Sequence, residues 1–360
     1  MNKMRVGIVG AGNISDIYLM SPSKFSNIEI AGITDLISSK AEEKAEKYGV
    51  PHYPDLASML EDPSIEVILN LTIPSAHAEI SLMALDHGKH VYSEKPLATK
   101  FEDGKEIISK AKRLNLRVGV APDTILGAGI QTALKLIEGG EIGSIVGAKA
   151  FMMGSGPESW HPNPAFFYET GAGPLFDMGP YYLSSLLVLL GPIDCVTGIA
   201  QTTYRERTIR SAERAGETFP VTTPTHVEGL MHFKSNVTAS ITATFDIHQS
   251  KLPFIEVYGS KGTIHVPDPN FFGGPVTYLT TGHEGWQEAE LVSALTGNER
   301  GIGLSNMIAC IFANEQHYCH GELGLHVLES MEKLLESSVQ RTFLPLETTF
   351  SIGEAASQKE

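Results

Sequence analysis

The segment Gly10-Ala11-Gly12-Asn13-Ile14-Ser15 follows directly on the apolar run Val6-Gly7-Ile8-Val9. A short strand running into closely spaced glycines suits a dinucleotide pyrophosphate. Gly10 permits a tight turn, and Gly12 lets the backbone approach the phosphates at the start of a helix. Ser15 takes the third fingerprint position and is still small enough for close helix–strand packing. Asp35 ends the next apolar segment. An acid there can hydrogen-bond both ribose hydroxyls and repels a 2′-phosphate. Leu36, Ile37, Ser38 and Ser39 follow it without an arginine, so the expected cofactor is NAD in preference to NADP.

These residues need a scaffold, and the first 120 residues supply its pattern. Strand-like runs at 6–9, 28–34, 67–72, 90–92 and 116–120 alternate with helix-forming stretches, among them SSKAEEKAEKY at 38–48. Strands alternating with helices of this length imply right-handed βαβ units and a parallel sheet. After Asp123 the texture changes. Ala239-Ser240-Ile241-Thr242-Ala243-Thr244-Phe245 alternates apolar side chains with hydroxyls, the pattern of an antiparallel sheet with one core face. Residues 226–233 and 254–258 read similarly. One helix is expected over 177–190, and another where Leu325, Leu328, Met331, Leu335 and Val339 recur at helical spacing. The reading is therefore a Rossmann-type doubly wound parallel sheet over 1–122, then an α+β domain with an open, mostly antiparallel sheet over 123–360.

Composition narrows the function. Acidic residues outnumber basic ones 42 to 27, a net charge of −15. That balance argues against nucleic acid or a polybasic membrane anchor, since both need clustered Lys and Arg. Cys195, Cys310 and Cys319 are scattered and form no CxxC pair, which suits reduced thiols in a cytoplasmic protein. The N-terminus lacks the apolar core and cleavage site of a signal peptide. The apolar run 181–190 is too short for a membrane span. His317, Cys319 and His320 lie close in sequence but lack a matching second ligand pair, so no metal is expected. His226 and His232 alternate onto one strand face, toward solvent or a partner.

Three further segments carry a family resemblance: Thr72-Ile73-Pro74-Ser75-Ala76-His77, Glu94-Lys95-Pro96-Leu97-Ala98, and Gly171 to Tyr181 with Asp177-Met178-Gly179-Pro180-Tyr181. Together with the opening glycine turn they resemble the Gfo/Idh/MocA oxidoreductases, over nearly the whole chain and in order. The family's usual DxGxH stands here as DxGxY, a variant also found within it. Its usual basic residue after the last Rossmann strand is replaced by Ala121-Pro122-Asp123. The resemblance implies a nicotinamide-dependent dehydrogenase acting on a sugar, glycoside or cyclitol, and a homodimer or homotetramer built on the outer sheet face, where Ser240, Thr242 and Thr244 form an interface or a solvated surface.

The resemblance also assigns roles. Lys95 is the general acid/base. An ordinary lysine, with a pKa of about 10.4, becomes a base at neutral pH only if burial and the oxidised nicotinamide lower it. Asp177 and Tyr181 are an i,i+4 pair on one helix face; Pro180 between them implies a first helical turn. Asp177 orients the substrate hydroxyl and tunes Lys95, while Tyr181 bonds the reacting oxygen; alternatively Asp177 caps the helix and Tyr181 packs in the core. Thr72, Ile73, Pro74, His77 and Glu94 line the nicotinamide side, with Gly10, Gly12, Asn13, Ile14 and Asp35 on the rest of the cofactor. Trp160 and His161, in a Gly/Pro-rich loop, either form a lid that stacks on the sugar or pin the loop. Asp123 and His248 are further substrate candidates. The same residues would also serve a redox-neutral elimination or epimerisation with tightly held NAD, and the same fold a non-catalytic NAD-binding regulator.

Overall fold

The computed structural model describes residues 2–169, 171–211 and 214–352. They form two compact units. The first takes in the chain up to Leu126, Glu299–Leu328 and the segment from Phe350; the second takes in Gly127–Asn298 and Glu329–Thr349. Two segments beyond residue 298 thus return to the first unit, which a linear division after residue 122 does not anticipate.

The first unit is built on a parallel sheet of β1 (Met4–Val9), β2 (Ile28–Thr34), β3 (Val67–Asn70), β4 (His90–Ser93) and β5 (Val118–Val120), in the order β2-β1-β3-β4-β5. β3 and β5 are buried throughout and β1 nearly so, as expected of strands covered on both faces. The connecting helices are α1 (Ser15–Leu19), α2 (Ser38–Tyr48), α3 (Leu56–Glu61), α4 (His77–Asp86) and α5 (Phe101–Leu114). Their ends follow local chemistry. Asp55 caps α3 by accepting from Ser58 N at 2.8 Å, and α2 stops at Gly49, whose φ of 66° is left-handed. The chain adds β2 on one side of β1 and β3 on the other. That reversal leaves a crevice at the carboxyl ends of β1 and β3, where doubly wound sheets bind their ligands.

The second unit holds α6 (Ala128–Glu138), β6 (Ile145–Met153), α7 (Gly173–Leu190), β7 (Ile193–Gln201), β8 (Glu206–Thr208), β9 (Thr218–Pro220), β10 (His226–Phe233), β11 (Thr238–Thr244), β12 (Ile255–Gly259), β13 (Gly262–Val266), β14 (Thr277–Thr280) and β15 (Gln287–Glu288). Beyond them come α8 (Ile302–Ala313), α9 (Gly321–Gln340) and β16 (Leu344–Pro345). Nine strands make one mixed sheet, β15-β14-β13-β12-β6-β11-β10-β7-β16, while β8 and β9 pair separately. Among the described residues of this sheet, only the β6–β11 pairing is parallel. The inner face packs on α7 and on Leu334 of α9, which lies against the bare backbones of Gly198 and Gly229.

Two local expectations change. Helix α7 begins at Gly173, with φ of 85°, and Pro174. Pro180 is therefore interior, not in the first turn, and leaves the Phe176 carbonyl without its amide partner. The helix survives because nearly every residue from Gly173 to Leu190 is buried, so packing outweighs the lost bond. The hydroxyl row is also not a plain solvated surface: Thr242 and Thr244 are buried, and Thr242 donates to Glu228 at 2.8 Å.

Glu329 shows how closely the second unit is tied. Its buried carboxylate accepts from the backbone amides of Glu347 at 2.7 Å and Thr348 at 3.0 Å, and from the Thr348 hydroxyl. Glu329→Ala would strip these donors of their acceptor. The expected cost is about 1–3 kcal/mol, read as a lower urea midpoint; an unchanged midpoint would show the segment held by packing alone.

Candidate active site

In the first unit the site starts at the end of β1. Gly10 adopts φ of 108°, and a Cβ there would lie 2.6 Å from the Leu71 carbonyl oxygen. At Gly12 a Cβ would meet nothing within 4 Å. The turn is thus closed by protein at Gly10 and open at Gly12, where Asn13 is also exposed and Ile14 half-buried. Ser15 is buried and donates to the Gly12 carbonyl at 2.7 Å, drawing the turn onto α1. The open backbone at Gly12 fits the pyrophosphate of a dinucleotide.

Asp35 sits at the end of β2. Its carboxylate accepts from Ala11 N at 2.7 Å and Ile37 N at 2.8 Å. It therefore holds the glycine turn and its own loop together, and each oxygen retains a lone pair for a ribose hydroxyl. Leu36, Ile37 and Ile73 are exposed beyond the ends of β2 and β3, the strands on either side of β1.

The end of β3 is organised by Asn70, which the sequence reading passes over as part of an apolar run. Its buried amide donates to the His77 carbonyl at 3.1 Å, and its oxygen accepts from the Thr72 hydroxyl at 2.7 Å. A polar residue inside VILN is the available signal. His77 is buried, with Nδ1 2.6 Å from the Pro96 carbonyl and Nε2 3.0 Å from that of Thr72. Burial pushes its pKa down, against the pull of both carbonyls. The imidazole is packed between the Thr72–Pro74 turn and the Glu94–Pro96 loop and acts as a spacer that braces the two. Glu94 accepts from the buried Tyr18 hydroxyl at 3.0 Å and from Lys95 N at 3.2 Å. Lys95 itself is half-buried at the end of β4, and its bond to Pro96 is cis.

Asp123 belongs to the scaffold. Its buried carboxylate accepts from Gly301 N at 2.9 Å and Gly303 N at 3.2 Å, capping the approach to α8. Burial pushes its pKa up to about 6 despite those two bonds.

In the second unit Asp177 is half-buried and Tyr181 buried, one turn apart on α7. The 154–174 loop is fastened from beneath. Glu158 is buried, accepts from the Tyr168 hydroxyl at 2.7 Å, and pairs with Arg207 at 2.9 Å. Arg207 also pairs with Asp246, whose other oxygen accepts from Thr225 at 2.7 Å. Tyr168, Ile209, Phe219 and Phe245 form a small core below. Trp160 is 67% exposed and edges onto His161 and Phe167. Its ring is steadied by the loop yet remains open to a ligand. His248 is exposed and lines a cavity with Tyr204, Arg207 and Arg210. Glu158, Arg207 and Asp246 are separated in sequence and carry no motif, so nothing in the chain announces their pairing.

The His317–His320 stretch is engaged within the fold. His317 Nε2 meets the Val118 carbonyl at 3.1 Å; His320 bonds Glu322 and the Ser351 carbonyl, both at 3.1 Å. Among the described residues, no helix is long and apolar enough to cross a membrane.

Comparison with known proteins agrees with this architecture. Residues 4–121 match the model of the oxidoreductase family's NAD-binding Rossmann fold, and residues 130–265 match the GFO/IDH/MocA C-terminal domain. Levoglucosan dehydrogenase of Pseudarthrobacter phenanthrenivorans is 27% identical over 289 residues, 73% of either chain. Myo-inositol 2-dehydrogenase of Thermotoga maritima is 23% identical over 262 residues, 72% of this chain and 74% of that one. Of the solved structures, apo levoglucosan dehydrogenase has a TM-score of 0.85 at 21% identity, covering 97% of this chain and 100% of that one. An NAD binding oxidoreductase from Klebsiella pneumoniae has a TM-score of 0.83 at 23% identity, covering 95% and 99%.

Asp123 gives a pH test. An ordinary aspartate in the unfolded chain titrates near 3.9, below the folded value, so ionisation opposes folding. That burden is absent below about pH 4 and grows as pH rises through 6. Asp123→Asn keeps an amide oxygen for both glycine donors. It is expected to raise stability by about 2–3 kcal/mol at pH 8 and little at pH 4; urea unfolding at the two pH values checks this, and an equal effect at both would contradict it.

Proposed function

The chain belongs to the Gfo/Idh/MocA oxidoreductase family, and from that premise we propose that it moves hydride between a ring secondary hydroxyl of a sugar, glycoside or cyclitol and NAD. The observation that carries the reading is the cradle at the end of β1: an open Gly12 backbone beside an Asp35 carboxylate already fastened to that turn. The named relatives point to the substrate class, since one is a levoglucosan and another a myo-inositol dehydrogenase.

Bound nicotinamide supplies the hydride acceptor. The chain's own residues handle the proton and the geometry. Lys95 takes the hydroxyl proton as hydride leaves the same carbon, and returns it to the carbonyl oxygen in the reverse direction. His77 holds the loop that carries Lys95 by its bond to the Pro96 carbonyl. Glu94, bonded to Tyr18 and to Lys95 N, supports the same loop from the other side. Asp177 orients the substrate hydroxyl and Tyr181 bonds the reacting oxygen. Trp160 offers a face for the sugar ring, with His161 and His248 as further ligand contacts. Asp123 is assigned to the scaffold. Asp35 selects NAD, because a 2′-phosphate would meet its carboxylate and no arginine follows. Ile199 and Leu230 are exposed on the outer sheet face, where a second copy would bury apolar area.

Two outcomes follow. Lys95→Met is expected to lower kcat by about a thousandfold or more while NADH binding, read by fluorescence, changes little. Unchanged kcat on levoglucosan, myo-inositol or another turned-over polyol would end the assignment. The pair Asp35→Ser with Leu36→Arg is expected to move the kcat/KM ratio toward NADP by at least tenfold, about 1.4 kcal/mol; a wild type that already prefers NADP would contradict the role of Asp35.

A further inference from the structure

On the outer face of the nine-stranded sheet, Cys195 of β7 stands directly across from His232 of β10. The register slips between His232 and Phe233: Cys195 faces His232, but Phe233 faces Ile193. Asp194 is the extra residue of this bulge. A bulge re-aims a side chain, and here Asp194 joins Cys195 and His232 instead of pointing into the core with Ile193. As a result a thiol sulfur, an imidazole nitrogen and a carboxylate oxygen lie within 4.8 Å of one another.

His232 Nε2 lies 3.3 Å from the Asn236 amide oxygen, and Nδ1 faces the Asp194 carboxylate at 3.8 Å. Thiolate, imidazole and carboxylate are all ligands of borderline-soft divalent metals. In a tetrahedral zinc site with bonds of roughly 2.0–2.3 Å, ligand atoms stand about 3.3–3.8 Å apart. An imidazole–carboxylate pair belongs near the short end of that range, about 3.4 Å, so the observed 3.8 Å and the thiol within 4.8 Å are brought to bonding geometry by side-chain rotation. The Asn236 contact has the form of a support that orients a metal-bound histidine.

We propose that Asp194, Cys195 and His232 bind a divalent, borderline-soft transition metal, Zn²⁺ in particular, with water in the fourth position. Binding replaces the Cys195 S–H bond by an S–metal bond and releases that proton to solvent. The ion cross-links β7 to β10 at the end of the sheet where β16 closes it.

The test uses the full-length protein freed of metal with EDTA and titrated with Co²⁺. One equivalent is expected to produce a sulfur-to-cobalt charge-transfer band, which Zn²⁺ then abolishes. Cys195→Ser should remove the band, and Cys310→Ser, at a buried thiol elsewhere, should leave it. His232→Ala should weaken Co²⁺ binding by at least about tenfold. NADH binding retained by each variant shows it folded. Absence of the band in the wild type, or its persistence in Cys195→Ser, would overturn the proposal.

Discussion

The backbone of Gly10 passes so close to the Leu71 carbonyl that no side chain fits between them. That approach locks the end of β1 to the end of β3, and the cofactor half of the molecule is arranged around it. Asp35 fastens the turn from the β2 side through Ala11. Asn70 and His77 fasten the β3 side, and His77 carries the constraint on to the loop holding Lys95. The loop that carries Lys95 is thus positioned by a chain of polar contacts that begins at a glycine. Ala11 N–H and the Pro96 carbonyl find side-chain partners in that chain.

Much of this was legible in the residues. Gly10, Gly12 and Asp35 could be read because their constraints are local: a turn, a close approach, a strand end. Strand and helix order followed from periodicity, and the three family segments drew attention to Lys95, which stands at the end of β4, and to Asp177 and Tyr181, one turn apart on α7. The sequence offers His77 as a cofactor contact; its buried position between two carbonyls was not readable. Asn70, Glu158, Arg207 and Asp246 were missed because their partners are distant in sequence; Arg207 and Glu158 are 49 positions apart. Pro180 misled for a related reason. A rule about local backbone bonds placed it in a first turn, whereas α7 is buried along its whole length and tolerates the loss. Asp123 looked like a ligand contact because it stands where the family has a basic residue, and the structure gives it two glycine amides to hold instead.

A guanidinium between two carboxylates, closed over an aromatic core, is costly to disrupt once buried. Here it gives the loop that carries Trp160 and His161 a fixed base.

In the proposed reaction hydride passes directly from a ring carbon of the substrate to the nicotinamide, and the chain's residues manage only the proton. The most direct measurement oxidises a ring-deuterated sugar or cyclitol with NAD⁺ and this protein, then locates the label by NMR and mass. One deuterium at nicotinamide C4 is expected for each ketone formed. Label lost to water, or product formed with no deuterated NADH, would contradict it.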